Sequence, residues 1–396
     1  MGSAWSRLSR ACALFLAMTG LGACVAQPNP YAYNSPLAIG QPQPLPYSAG
    51  RRIAVLVPLT GGNASVGQSM VKGAQLATDD GPPQLQTQDT GGTPDGAARA
   101  AQAALAGGAG LILGPLTASE TGAVAPVARA AGVPVLAFTS DRAQAQPGLW
   151  TMGITPAQQV RTLVLAVRAE NKTRLAAVLP SNPFGDALAD GLAEATTTLG
   201  LPPAQIARYQ GGLPAVENAL REVVGTPSPG VPGAALPPSP PPIDALLLGT
   251  TGDLTVQAIP LLNQYGLGPD RVRLLGTALW ARDAARLSGI AGAWYAAPDP
   301  ALRSVFEQRY TQRFGAPPTP FASIAFDSAG AARSAATPNG FDVNALLRLE
   351  GFAGADGVFV LLPDGRVRRG LAIFEIGPNG THVRQPGPRS LNLPGS

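Results

Sequence analysis

The sequence predicts an α/β protein of two lobes, each a largely parallel sheet covered by helices. Three observations predict it. First, Leu111 to Asp141 (LILGPLTASETGAVAPVARAAGVPVLAFTSD) reads as strand, loop, helix, strand, with two short apolar runs bracketing a segment that Gly132 closes. Two buried strands joined by a helix run parallel, through a right-handed crossover. Second, the same alternation restarts after residue 153. Third, 396 residues at 45% hydrophobic are enough for two cores.

The totals exclude several function classes. Net charge is +4, and Arg7 and Arg10 near the amino terminus supply half of it. No basic stripe remains for nucleic acid, so no nucleic-acid partner is expected. The single histidine, His382, sits near the carboxyl terminus, where no metal set and no nucleophile–histidine pair can be assembled around it. No Walker-type loop is present. The expectation is a protein without metal, cofactor or catalytic residue, not an enzyme. Cys12 and Cys24 both lie in the leader region, so no disulfide is expected.

In chain order, residues 1–23 read as a secretion signal. Arg7 and Arg10 give the charged region, and Ala11 to Leu21 gives an apolar segment too short to span a membrane. Leu21-Gly22-Ala23-Cys24 resembles the lipobox of bacterial lipoproteins, which implies acylation of Cys24 and cleavage before it. The alternative is an ordinary signal cut after Ala23, leaving Cys24 a spare thiol. Val25 after the cysteine, instead of aspartate, implies sorting to the outer membrane by the same resemblance. Residues 24–50 are a proline-rich, uncharged tether.

The folded part is expected over 51–385. Ile53 to Val57 is a strand and Val66 to Thr78 a helix with Val66, Met70, Val71 and Ala74 on one face. Gln84 to Gln88 is a strand. Thr93-Pro94 opens a helix as N-cap and first residue, and Gly107-Gly108 closes it. In the unit at 111–141, Thr117 or Ser119 caps the helix and Glu120 suits its dipole. Trp150 to Ile154 is a strand leaving the first lobe. Then helices at Gln158–Glu170, Asp186–Leu199, Leu213–Val224 and Leu254–Tyr265 alternate with strands at Leu175–Leu179, Ala207–Tyr209, Ile243–Leu248 and Arg273–Gly276. Residues 226–242 hold eight prolines and read as a flexible surface loop. Ala293 to Ala296 is expected as a strand returning to the first lobe. Helices follow at Ala301–Phe314, Phe321–Ala336 and Val343–Arg348. Gly357 to Leu362 and Leu371 to Ile376 are expected to pair around the turn Pro363-Asp364-Gly365, and 386–396 is a polar tail. The lobes are expected at about 51–152 with 297–370, and 153–296 with 371–385.

Ligands of open α/β sheets bind at the carboxyl ends of strands. Here those ends carry small hydroxyl residues: Thr60 and Ser65 beyond the first strand, Ser119, Thr139 and Ser140 in the 111–141 unit, and Thr250, Thr251 and Thr277 in the second lobe. Each is also a plausible cap or turn former.

These segments, in this order, resemble the type I periplasmic binding proteins of the leucine/isoleucine/valine-binding class. IAVLVPLTGGNASVGQSMVKGAQLA, the 111–141 unit, LPSNPFGDALADGL and GVFVLLPDGRVRRGLAIFEIGPNG carry the resemblance. It implies two Rossmann-like lobes joined by three crossovers, with a ligand cleft between them. It also implies that Thr60, Ser65, Ser119, Thr139 and Ser140 meet a ligand carboxylate and that Phe184 lines the cleft. The family's acidic position for a ligand ammonium is Ala278 here, with Asp253 as a substitute. Asp141 falls among the carboxylate-binding donors, where it repels one.

VLVPLTGGNASVGQ, DTGGTPDGAARAA and VPVLAFTSDRAQAQPG also resemble the penicillin-binding-protein activator lipoproteins of that class, although the helical-repeat domain of the best-known members has no counterpart here. Two roles therefore stand. One is a periplasmic regulator of a peptidoglycan synthase (a penicillin-binding protein), held to the membrane by a lipid anchor only. The other is a substrate-binding lipoprotein delivering an amino acid or related small polar solute to an ABC permease.

Overall fold

Unbroken apolar runs such as Ile53 to Val57 form strands buried on both faces, which is what a sheet covered by helices on each side requires. The structure, a computed structural model, describes residues 50–78, 81–225 and 241–391. The expected leader and nearly all of the tether lie outside the described residues, as do 226–240 of the proline-rich loop.

The chain begins β1 (Arg52–Val57), α1 (Ala64–Thr78), β2 (Leu85–Asp89), α2 (Pro94–Ala106), β3 (Ala109–Leu113), α3 (Ala118–Ala130), β4 (Val135–Ala137) and β5 (Leu149–Thr151). These strands make one parallel sheet in the order β2-β1-β3-β4-β5. There follow α4 (Pro156–Ala169), β6 (Leu175–Pro180), α5 (Pro183–Thr198), β7 (Gln205–Tyr209), α6 (Leu213–Val224), β8 (Ala245–Leu248), α7 (Asp253–Gln264), β9 (Arg273–Gly276) and β10 (Trp294–Ala297). The chain then returns to the first sheet with α8 (Pro300–Phe314), α9 (Ala322–Ser334), β11 (Ala336–Thr337), β12 (Gly340–Phe341), α10 (Val343–Leu346), β13 (Phe359–Leu361) and β14 (Val367–Arg369). It ends in the second sheet with β15 (Ala372–Gly377) and β16 (Gly380–Gln385). That sheet has seven strands in the order β16-β15-β10-β9-β8-β6-β7, parallel from β10 to β7 and antiparallel at β15 and β16. The chain thus passes between the sheets after β5, after β10 and after β14.

Alternate residues serve opposite faces. Ile53, Val55 and Val57 pack with α1 and α9, whereas Ala54 and Leu56 pack with α2 and α3. In the second sheet Leu246 and Leu248 face one core and Ala245 and Leu247 the other. Capping is local and follows the sequence: Thr93 caps α2, Thr117 and Glu120 form a capping box on α3, and Thr155 with Gln158 does the same on α4. Thr117, not Ser119, is the α3 cap. Glycine is required where helices begin against the preceding strand. A Cβ on Gly67 would lie 1.9 Å from the Pro58 carbonyl oxygen, and one on Gly185 1.9 Å from that of Pro180.

Two expectations are corrected. Leu371 to Ile376 does not pair with Gly357 to Leu362. The hairpin around Pro363-Asp364-Gly365 is β13 with β14, while β15 joins the second sheet between β10 and β16. The strand Val367–Arg369 escaped because two of its three residues are arginine, and burial of Arg369 is a tertiary matter. The strand at β10 does not enter the first lobe; it pairs with β9 and β15, and the chain crosses only after it.

Candidate functional site

The predicted hydroxyl residues lie at the carboxyl ends of the parallel strands in both sheets, and four of them, Thr60, Ser119, Thr139 and Thr250, make side-chain hydrogen bonds within the protein. In the first sheet the loop after β1 folds over Asp89, the last residue of β2. Leu59 N and Gly91 N each donate to Asp89 Oδ1 at 2.8 Å, and Thr60 Oγ1 donates to Oδ2 at 2.8 Å. These donors, the Leu59 amide first, hold the Asp89 carboxyl below its usual range.

Behind them Glu120 is fully buried. It accepts from Thr90 Oγ1 at 2.5 Å, Thr117 N at 3.0 Å and Thr117 Oγ1 at 2.7 Å. Ser119 is exposed and shares a hydrogen bond with Thr117 Oγ1 at 3.2 Å. Thr139 is buried and accepts from Asp141 N at 3.0 Å, while Asp141 caps the 3-10 turn Arg142–Gln144 through Ala143 N. Ser65 and Ser140 stand exposed.

In the second sheet Thr250 is buried and accepts from Thr255 Oγ1 at 3.1 Å, and its carbonyl takes the indole N–H of Trp280 at 3.0 Å. Thr251 is exposed. Thr277 is buried and its Oγ1 has no hydrogen-bond partner. The Ala278 amide donates to Gln159 Oε1 at 2.8 Å. Asp253, the first residue of α7, is exposed and bound by Arg286 at 2.6 Å. Phe184 is half-buried near the start of α5 and packs on the core shared by α4 and α5. Glu194 of α5 accepts from Arg366 at 2.7 Å and also from Arg142, in the turn that Asp141 caps, joining the second lobe to two loops of the first.

Sequence reasoning missed Asp89, Gln159, Arg286 and Trp280, and took Glu120 only for a dipole partner. Asp89 had a signal, because it ends a short strand just before Thr-Gly-Gly. Gln159 and Arg286 had none, since their partners are 119 and 33 residues away.

The arrangement offers hydroxyls and carboxylates, with the donors Leu59 N, Gly91 N, Thr60 Oγ1 and Ala278 N already committed to Asp89 and Gln159. No group of three or more His, Cys, Asp or Glu among the described residues could hold a metal. His382 lies exposed on β16, 3.8 Å from Glu375. Among the described residues no helix is long and apolar enough to cross a membrane.

The model of the periplasmic binding protein family matches residues 51–381. No curated protein matches the chain. Among solved structures it is similar to a putative branched-chain amino acid ABC transporter protein from Rhodospirillum rubrum, with a TM-score of 0.69, 18% identity, and coverage of 84% of this chain and 99% of that one. It is similar to the C-domain of LpoA from Haemophilus influenzae, a regulator of PBP1A, with a TM-score of 0.66, 14% identity and coverage of 84% and 99%. It is also similar to the branched-chain amino acid binding protein LivJ from Streptococcus pneumoniae, solved with isoleucine, with a TM-score of 0.52, 16% identity and coverage of 85% and 100%. Likeness at such identities speaks for the fold alone. Two sheets with three crossings between them and a family match over most of the length lead to one conclusion: the chain belongs to the periplasmic binding protein family, with the two-lobed type I fold and a place in the periplasm.

Proposed function

We propose that this protein is a non-enzymatic regulator of peptidoglycan synthesis, acting on a penicillin-binding-protein synthase from a lipid anchor at Cys24 in the outer membrane. The observation that carries the reading is the internal use of the cleft-side donors. Asp89 takes Leu59 N, Gly91 N and Thr60 Oγ1, and Gln159 takes Ala278 N. A ligand carboxylate arriving there meets spent donors and the like charges of Asp89 and Asp141. A ligand ammonium meets Ala278, which has no charge, and Asp253, which Arg286 already holds. Likeness to the LpoA C-domain supports the same reading.

The test is reconstitution. The chain beginning at Arg51 is expected to stimulate glycan polymerisation or cross-linking by a bifunctional synthase of the same cell. Unchanged rates with every such synthase would overturn the proposal.

The anchor has its own test. Leu21-Gly22-Ala23-Cys24 followed by Val25 supports acylation and outer-membrane sorting. Two or three acyl chains hold far more firmly than one. Cys24→Ser is expected to leave the outer-membrane fraction, and fractionation like the parent counts against the anchor.

The second reading is a solute receptor for an ABC importer. It is favoured by the exposed Ser65, Ser140 and Thr251 at the strand ends and by likeness to the Rhodospirillum rubrum and LivJ proteins.

A further inference from the structure

We infer that the amino-terminal end of the five-stranded sheet carries a second binding site, for a small carboxylate with a ring or branched apolar body. A half-open cavity of about 210 Å³ lies between the last turn of α3 and the residues that begin β4 and β5. Ala125, Ala128, Leu149 and Val343 give it aliphatic walls, and Arg129 and Gln146 bring its charge and its amide. The site is at the opposite end of the strands from Thr60, Thr139 and Asp141, so it does not rest on the reading of the cleft.

Size and chemistry select the ligand. Protein interiors seldom leave voids larger than a water molecule. An apolar cavity of roughly 150 Å³ already accepts benzene. This one therefore takes a phenyl or branched-alkyl group. At its edge Arg129 hydrogen-bonds the side-chain oxygen of Gln146, a neutral group, and makes no ion pair with a carboxylate among the described residues. A guanidinium fork accepts a carboxylate through two parallel hydrogen bonds, and the Gln146 amide, turned over, offers a third donor. The carbonyls of Ala128 and Arg129 are occupied by the amides of Ala131, Val133 and Gly132.

The test is calorimetric titration of the full chain with benzoate, phenylacetate and 4-methylpentanoate, each beside its neutral amide. At least one acid is expected to bind saturably below about 1 mM. Its amide is expected to bind at least about tenfold more weakly, as loss of a charge-assisted pair demands. Arg129→Gln, at an exposed helix position, is expected to remove that preference while the melting temperature stays that of the parent. Ala125→Leu, which fills the cavity, is expected to abolish binding of acid and amide alike. No saturable acid binding up to about 10 mM, equal binding of acid and amide, or an acid affinity indifferent to Arg129→Gln would each overturn the inference.

Discussion

Arg369→Met is expected to destabilise the protein by about 3–5 kcal/mol near neutral pH, the usual cost of leaving one member of a buried ion pair alone. Arg369 of β14 and Asp327 of α9 are both fully buried at the side chain, with Nη1 to Oδ2 at 2.6 Å. The guanidinium also lies 4.8 Å from the centre of the Phe359 ring. Asp356, buried beside them, takes Ser323 Oγ at 2.7 Å and Arg303 at 3.2 Å. Burial pushes the Asp327 carboxyl up to about 6; Arg369 pulls it down and the charge of Asp356 pushes it further up. Its ordinary value is 3.8, so the folded state binds the proton more tightly. The stability this group contributes is full below about pH 4 and is lost as pH rises through about 6.

Without Arg369 the lowering influence is gone and the carboxyl rises further. The deficit of Arg369→Met is therefore larger near pH 7 than near pH 5. Asp327→Leu added to Arg369→Met is expected to recover part of the loss, since no charge of that pair is then buried alone. Recovery is partial because the Ala355 amide, 2.6 Å from Asp327 Oδ1, loses its acceptor. Urea unfolding of the two variants at both pH values measures this. A loss under about 1 kcal/mol, or one independent of pH, would show that the pair is not what holds α9 to β14.

The second large effect is an absence of binding. None of the standard amino acids is expected to bind the chain beginning at Arg51 more tightly than about 1 mM, against the micromolar affinity of a dedicated receptor, which needs about 8 kcal/mol. Much of that energy must come from the two ionic ends of the ligand in a dry cleft, and an unpartnered buried ammonium costs several kcal/mol. Asp253 would have to share its carboxylate between an ammonium and Arg286, and the first-loop donors can meet a carboxylate only by giving up Asp89. Calorimetry with an amino-acid panel decides it. A micromolar isotherm that Asp253→Ala abolishes would restore the solute receptor and remove the regulator.

The sequence by itself determined what depends on near neighbours in the chain. The apolar runs at β1, β3 and β8 marked strands buried on both faces, and the alternation with helices marked parallel sheets. Thr93-Pro94, and Thr117 with Glu120, marked helix starts, because a cap and its partner are three residues apart or fewer. The hydroxyls at the strand ends were legible for the same reason.

What only the tertiary structure decided is which groups those hydroxyls and carboxylates meet. The loop after β1 reaches Asp89 because β2 lies beside β1 in the sheet, and no local pattern encodes that order. Asp253 is taken by an arginine 33 residues on, Ala278 by a glutamine 119 residues back, and Asp327 by an arginine 42 residues on. Each pairing is a long-range contact, formed only once the lobe that holds both residues has folded. Periodicity speaks for a residue's own element and face, not for the side chain that another strand or helix brings against it.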